Sequence, residues 1–233
     1  MDRIKLPAIS VVALLALTSC GLKQSVEIVK PTEFLTETPA DTTARFSRLP
    51  FRHSWRDPSV NMEDYKNIVV RPVTTKYLRE DKWEDSKSEE IPDLKTYEKK
   101  TNELARYFTK RLDVAFSDPI CIFYKTTDAS KPNTAILEVA LIEAHYPNPE
   151  LGPPLDIPVC AFEARVKDAK TGKVIVTVSD RRGPDLHISG DETHFTDNKE
   201  ICNIWARQLM EGSNREIFAT VRREMIKLTP EPQ

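Results

Sequence analysis

Alternating apolar and polar positions predict a β-hairpin in the second half of the chain. Apolar side chains occupy every second position from Val159 to Lys167, and the run from Val174 to Val178 can pair with them. Between the two runs, Asp168 can bond its own backbone and Gly172 can take a positive φ, as a tight turn requires. We therefore predict an antiparallel hairpin. The side chains expected to face outward from it are Glu163, Arg165 and Lys167.

Three further apolar runs predict strands. The run from Ile68 to Val70 is apolar on both faces, which is typical of a strand inside a sheet. The run from Thr134 to Tyr146 is also apolar on both faces, apart from two glutamates, so we place it at the centre of the sheet. The run from Ile120 to Tyr124 is a third candidate strand.

Apolar spacings of three and four predict two helices. Asp93 can cap the first, whose apolar stripe runs from Leu94 to Phe116. Asp197 and Glu200 resemble a capping box that opens the second helix, which extends to Leu228. Gly212-Ser213 interrupts the second pattern, so we expect a kink or a short break there.

Together these elements predict an α+β fold in a single domain. We expect a mostly antiparallel sheet of about five strands with two main helices packed on it, over residues 46–229. The stretch around Phe51 and Trp55 is too apolar for a solvated linker, so we interpret it as irregular chain packed onto the domain. Residues 230–233 form a short tail.

The first nineteen residues have the pattern of a signal peptide. Arg3 and Lys5 carry positive charge, and the apolar run from Leu6 to Leu17 follows them. At about twelve residues, this run is shorter than the roughly twenty that a spanning helix needs. We therefore predict that residues 1–19 direct export and are then removed.

Leu17-Thr18-Ser19-Cys20 resembles the lipobox of bacterial lipoproteins. This resemblance implies that the Cys20 thiol receives a lipid and that the chain is cut before it. The mature protein would then be attached to a membrane through Cys20, with residues 20–45 as a flexible tether. By the same resemblance, Gly21 favours the outer membrane, with the domain facing the periplasm. The alternative is an ordinary secretory signal with a chance cysteine.

Charge and composition argue against several classes of function. With 34 basic and 36 acidic residues, the chain has a formal net charge of −2 and no long basic run, which argues against nucleic acid as a partner. Its six glycines form no phosphate-binding loop pattern, and we expect no cofactor. The other three cysteines lie in apolar contexts that favour buried thiols, with a Cys160–Cys202 disulfide left open. They are Cys121, Cys160 and Cys202.

Three groups of residues are weak candidates for chemistry or contact. His187 and His194 lie among carboxylates that could help to bind a metal, but their spacing matches neither H-E-x-x-H nor H-x-x-x-H, and we favour a solvated loop. Arg181 and Arg182 could bind a carboxylate or phosphate through planar hydrogen bonds, although solvated arginines are the commoner case. Trp83 lies in a charged stretch that we interpret as a solvated loop, with a partner-binding loop as the alternative.

Three short stretches carry a family resemblance. They are Trp55 to Pro58 leading into Tyr65 to Val73, Leu104 to Phe116, and Glu163 to Gly183. Through them the chain resembles the bacterial lipoproteins of domain-of-unknown-function family thirty-three thirteen (DUF3313). The charged insert at Lys76 to Glu90 and the proline-rich Tyr146 to Pro158 depart from the family pattern. Because the family has no agreed catalytic residues, the resemblance implies none here.

The sequence therefore favours a non-enzymatic lipoprotein that binds another protein of the cell envelope. A lipid, a tether and a folded domain without an assembled catalytic motif are the features of an accessory factor. The first alternative is a small-molecule or glycan binder, which would need a concave apolar pocket with convergent polar groups. The second alternative is a metal-dependent hydrolase that uses His187 and His194.

Overall fold

The structure is a computed structural model that describes residues 31–35, 51–79, 83–148, 158–183 and 197–228. The predicted signal peptide, Cys20, His187 and His194 lie outside these ranges. Among the described helices, none combines the length and the apolarity needed to cross a membrane.

The described residues form one mixed sheet of six strands. The strands are β1 (His53–Arg56), β2 (Asn67–Val70), β3 (Tyr124–Lys125), β4 (Thr134–His145), β5 (Val159–Asp168) and β6 (Val174–Arg182). Their order across the sheet is β1-β6-β5-β4-β2-β3. The first four in this order are antiparallel, whereas β2 pairs in parallel with both β4 and β3. The predicted α+β domain with a mostly antiparallel sheet is confirmed.

The predicted hairpin is formed by β5 and β6. Gly172 has a φ of 72°, in the left-handed region that glycine adopts without strain. The Asp168 carboxylate accepts hydrogen bonds from the backbone and hydroxyl of Thr171 at 2.6 and 2.7 Å. The turn chemistry inferred from the sequence is therefore present in the fold.

Both predicted helices are present, with caps at the expected residues. Asp93 accepts a hydrogen bond from the Thr96 backbone at 2.7 Å, and helix α1 (Leu94–Ala115) follows it. Asp197 accepts a bond from the Glu200 backbone at 2.8 Å at the start of helix α2 (Asn198–Leu228).

Of the kink or short break predicted at Gly212-Ser213, the break is wrong, because α2 continues through these residues. Ser213 Oγ donates to the Leu209 carbonyl one turn earlier at 2.8 Å, a bond compatible with the helical backbone. Asn214 also fixes this turn, since its side chain accepts from the Ile122 backbone and donates to the Ile120 carbonyl. A single glycine costs a helix only about 1 kcal/mol, so these contacts can outweigh it.

The main core lies between the helices and one face of the sheet, here called the inner face. Phe162 of β5 lies at its centre, with ring centroids 4.6 Å from Trp205 of α2 and 6.1 Å from Phe108 of α1. All three side chains are fully buried. Burial of each contributes roughly 1.5–3 kcal/mol, which explains why both helices stay on this face.

Two strand predictions need correction. Residues 53–56, expected to be irregular, form the edge strand β1 paired with β6. The strand expected at residues 120–124 is confined to Tyr124 and Lys125. Residues 118–121 form a turn instead, in which the Cys121 amide donates to the Asp118 carbonyl at 2.9 Å.

The opposite face of the sheet, here called the outer face, is covered in part by residues 31–35. These residues fall within the predicted tether, yet Phe34 is only 3% exposed. Glu163, predicted to face solvent, does lie on the outer face but is 1% exposed, because Thr32 covers it and donates to both of its carboxylate oxygens.

Candidate functional site

Arg181 lies on the outer face and binds a carboxylate of its own chain. It is level with Ala161 on β5, which is level with Glu143 on β4, and the small alanine lets the two long side chains meet above it. Arg181 Nη2 and Nε donate to the two Glu143 oxygens at 2.9 and 3.0 Å. Because Glu143 is only 3% exposed, an external anion would have to displace a buried partner.

Arg182 lies on the inner face, where it joins β6 to α2. Its Nε donates to Asp180 at 3.0 Å and its Nη2 donates to Gln208 at 2.5 Å. Trp205 Nε1 donates to the same Asp180 oxygen at 2.8 Å. Burial raises the pKa of Asp180, and the positive charge of Arg182 opposes this shift. The two neighbouring arginines are thus on opposite faces and do not form one binding site.

A polar cluster that the sequence did not predict lies at the turn end of the hairpin. Asp57 forms an ion pair with Lys173 at 2.5 Å, and the Tyr65 hydroxyl donates to Asp168 at 2.9 Å. Hydrogen bonds from Lys173 and Ser59 lower the pKa of Asp57 to about 2. These residues come from stretches that carry the family resemblance or adjoin them, so the shared motifs meet at one end of the sheet. The pattern of a single stretch could not have predicted that these residues contact each other in the fold.

Trp83 is the remaining candidate residue that the structure describes. Trp83 is half-buried before a short 3-10 helix, Glu84–Ser86, and the Lys87 ammonium lies 5.9 Å from its ring centre. His187 and His194 lie outside the described residues, and the described ranges contain no group of three metal-capable side chains.

The three cysteines within the described ranges are free thiols. Cys160 and Cys202 are fully buried, and burial raises the pKa of both. Cys121 is half-buried, and burial raises its pKa as well. Because the thiolate is the reactive form, these environments make each sulfur a weaker nucleophile.

Two concave regions differ in size and chemistry. A cavity of about 40 Å³ lies between the sheet and α2, and its lining is almost entirely apolar. A larger groove of about 430 Å³ lies between α1 and the start of α2. Its walls combine charged and apolar residues. They include Lys100, Glu103, Tyr146, Asp197 and Lys199.

A small apolar patch lies where α1 ends and the edge strand β3 begins. We define it by Val114, Ile120 and Tyr124, whose exposed fractions are 51%, 64% and 75%. The Asp113–Lys125 ion pair, at 2.6 Å, joins the end of α1 to β3. That pair compensates two of the charges beside the patch, and the Asp118 carboxylate accepts the Ile120 backbone N–H at 2.9 Å.

The comparisons with known proteins give a family match without an established activity. A family model described as "Protein of unknown function (DUF3313)" matches residues 42–209. No curated protein matches the sequence.

Several solved structures have a similar arrangement at low sequence identity. A dodecameric PelC variant from Paraburkholderia phytofirmans is 12% identical, with a TM-score of 0.38, and the match covers 69% of this chain and 94% of that one. A DUF4136 family protein from Bacteroides thetaiotaomicron is 11% identical, with a TM-score of 0.34 and coverages of 71% and 95%. Lipoprotein GNA1162 from Neisseria meningitidis is 13% identical, with a TM-score of 0.29 and coverages of 64% and 99%. TM-scores this low carry no functional argument.

Proposed function

We propose that this chain, which belongs to the DUF3313 family of proteins of unknown function, is a lipoprotein held to a membrane by lipid on Cys20. At the membrane it acts as a non-enzymatic accessory factor that binds another envelope protein. The observation that carries this proposal is the Leu17-Thr18-Ser19-Cys20 motif, which directly follows a short apolar run. Two or three acyl chains on one residue would hold the protein permanently, at about 0.8 kcal/mol per buried methylene. We place it in the outer membrane, facing the periplasm, because Gly21 follows the cysteine.

Metabolic labelling tests the lipid. Cells grown with radioactive palmitate should label the natural protein and not a Cys20→Ser variant. Cys121→Ser removes a thiol elsewhere in the chain and should leave the label unchanged, which makes it the matched control. An unlabelled natural protein would overturn the proposal.

The proposed contact surface for a protein partner is the patch of Val114, Ile120 and Tyr124. Exposed large apolar side chains that lie together often mark contact sites for other proteins, and β3 is the last strand at its edge of the described sheet. We expect the partner to present an apolar surface of its own, because the three exposed side chains that define the patch are large and apolar.

Photo-crosslinking in intact cells tests this surface. A benzoylphenylalanine at position 124 should capture one discrete protein, and the same probe at Arg106, whose side chain is 76% exposed on α1, should not. The capture should also weaken when Ile120 is replaced by Asp. Equal crosslinking from both positions would show that the patch is not the contact surface.

A small-molecule or glycan binder is the second candidate, and the groove between α1 and α2 favours it. Its volume of about 430 Å³ lies within the range of ligand pockets, and Tyr146 offers an aromatic ring beside Lys100. A glycan array tests it directly. Binding that Lys199→Glu abolishes and Glu89→Gln preserves would support this candidate, and an empty array would contradict it. The hydrolase alternative, with His187 and His194, is tested by metal analysis of the purified protein.

A further inference from the structure

Residues 31–35, here called the clasp, pack onto the outer face of the sheet. The next residue along the chain that the structure describes is Phe51. Phe34 fills a hollow above Ala140, Ile142 and Ala161. The two alanines leave room for the ring, and the edge of Tyr77 closes one side at a centroid distance of 5.4 Å. Apolar burial therefore holds the middle of the clasp.

A buried carboxylate holds the beginning of the clasp. Glu163 accepts a hydrogen bond from the Thr32 backbone at 2.8 Å and another from the Thr32 hydroxyl at 2.6 Å. Each donor reaches a different carboxylate oxygen, so a single residue of the clasp satisfies both. Leaving such a group unpaired would be costly, which makes the Thr32 contact specific.

Arg165 makes a second set of contacts with the clasp. Arg165 Nη1 donates to the Phe34 carbonyl at 2.7 Å, and its guanidinium lies 4.4 Å from the centre of the Phe34 ring. Glu138 on the neighbouring strand accepts from Arg165 Nε at 2.7 Å and so orients the guanidinium. The contacts between Arg165 and Phe34 link positions 131 residues apart in the chain.

The clasp changes the distance from the anchor to the domain. Only eleven residue steps separate Cys20 from Pro31, so the chain between them spans at most about 40 Å. A tether that ran freely to Arg45 would span about twice that length. The point of attachment also changes, because the chain now joins the domain on the outer face of the sheet.

We propose that the clasp orients the domain on the membrane, with the outer face of the sheet turned toward the bilayer and the helix layer turned away from it. This inference rests on the proposed lipid at Cys20. The helix layer, with α1 and α2, is then the side that remains accessible to partners in the periplasm.

Energy transfer from the protein to the bilayer tests this orientation. The lipidated full-length chain, with Cys121→Ser to remove the half-buried thiol, is placed in vesicles that contain an acceptor dye on the lipid headgroups. A donor dye is attached through His53→Cys or through Arg106→Cys. His53 is exposed on β1 and is level with Ser179 and Glu163 on the outer face, whereas Arg106 is exposed on α1.

We expect higher transfer from position 53 than from position 106. Thr32→Val together with Phe34→Ala should remove the difference, since it releases the clasp. The matched control, Thr127→Val together with Tyr124→Ala, makes similar changes at exposed positions and should preserve the difference. Near-UV circular dichroism of each variant shows whether the domain remains folded.

Equal transfer from the two positions in the natural protein would overturn the orientation, and so would a difference that persists after the clasp is released. A failure of the proposed function looks different. In that case Cys20 takes up no palmitate and the protein does not bind vesicles at all.

Discussion

The ionisation of Asp57 depends directly on its hydrogen-bond partners. Its pKa is lowered to about 2, first by the hydrogen bond from Lys173 and then by those from Ser59. Because the folded pKa is depressed, the stabilisation is present above the unfolded value, about 3.9, and is lost as the pH falls toward 2. Asp57→Asn should therefore lower the free energy of unfolding by about 1–2 kcal/mol at neutral pH, after allowance for the exposed Lys173 partner.

Urea unfolding of the natural protein and Asp57→Asn, measured between neutral pH and pH 3, checks this prediction. The difference between the two should shrink below about pH 4. Lys173→Met is the companion variant. It should cost less than Asp57→Asn, because the Ser59 bonds at 2.6 and 2.8 Å remain. A difference that does not change with pH would mean that the carboxylate acts through its shape and not its charge.

Gly183 lies close against the Val159 side chain at the open end of the hairpin. A Cβ at this position would lie 2.7 Å from one methyl of Val159, and a β-branched side chain cannot rotate away freely. Gly183→Ala should therefore cost about 1–3 kcal/mol of stability. Val159→Ala removes the methyl groups that cause the clash. This substitution should therefore lower the stability less in the Gly183→Ala variant than in the natural protein. Calorimetry of the four proteins in this cycle gives the coupling.

Gly172→Ala is the contrasting variant. Its φ of 72° strains any side chain, yet no atom lies within 4 Å of the added Cβ, so Val159→Ala should give no rescue. If the stability losses from Gly183→Ala and Val159→Ala are additive in the double variant, the predicted clash is wrong.

At the scale of elements, the continuity of α2 is one point on which sequence and structure disagree. Proline inside a helix removes a hydrogen bond and costs about 3 kcal/mol, whereas it is tolerated in the first turn. Ser213→Pro should therefore destabilise the domain by about that amount. Lys199→Pro, in the first turn of the same helix, should have little effect. Chemical denaturation measures the stability of both variants. If Ser213→Pro does not lower the stability, the helix is broken at Gly212-Ser213 as the sequence predicted.

Local patterns predicted the elements that local interactions determine. The hairpin and both helix caps were correct, because their turn and cap residues lie within a few positions of the groups that they bond. Strand β1 was missed because four residues are too few for a visible alternation. The Arg181–Glu143 pair was missed for another reason. It depends on strand order, which places Ala161 between two residues 38 positions apart.

At the scale of the whole molecule, the sequence predicted a flexible tether where the structure places the clasp. Residues 31–35 resemble a linker in composition, and only Phe34 and Leu35 among them have large apolar side chains. The signal lies elsewhere. It consists of the small residues Ala140 and Ala161 and the unexpectedly buried Glu163, all more than one hundred positions away. Only the assembled sheet brings them together.

The clasp should therefore count as part of the folded unit, independently of any lipid. A soluble variant that begins at residue 36 loses the burial of Phe34 and the two bonds to Glu163, so we expect it to unfold about 2–4 kcal/mol more easily than one that begins at residue 31. Glu163→Gln should narrow this gap. An amide nitrogen at this position cannot accept one of the two hydrogen bonds that Thr32 donates to the natural carboxylate. Equal unfolding midpoints for the two lengths would show that the clasp contributes nothing to the fold, and the orientation argued from it would then lose its physical basis.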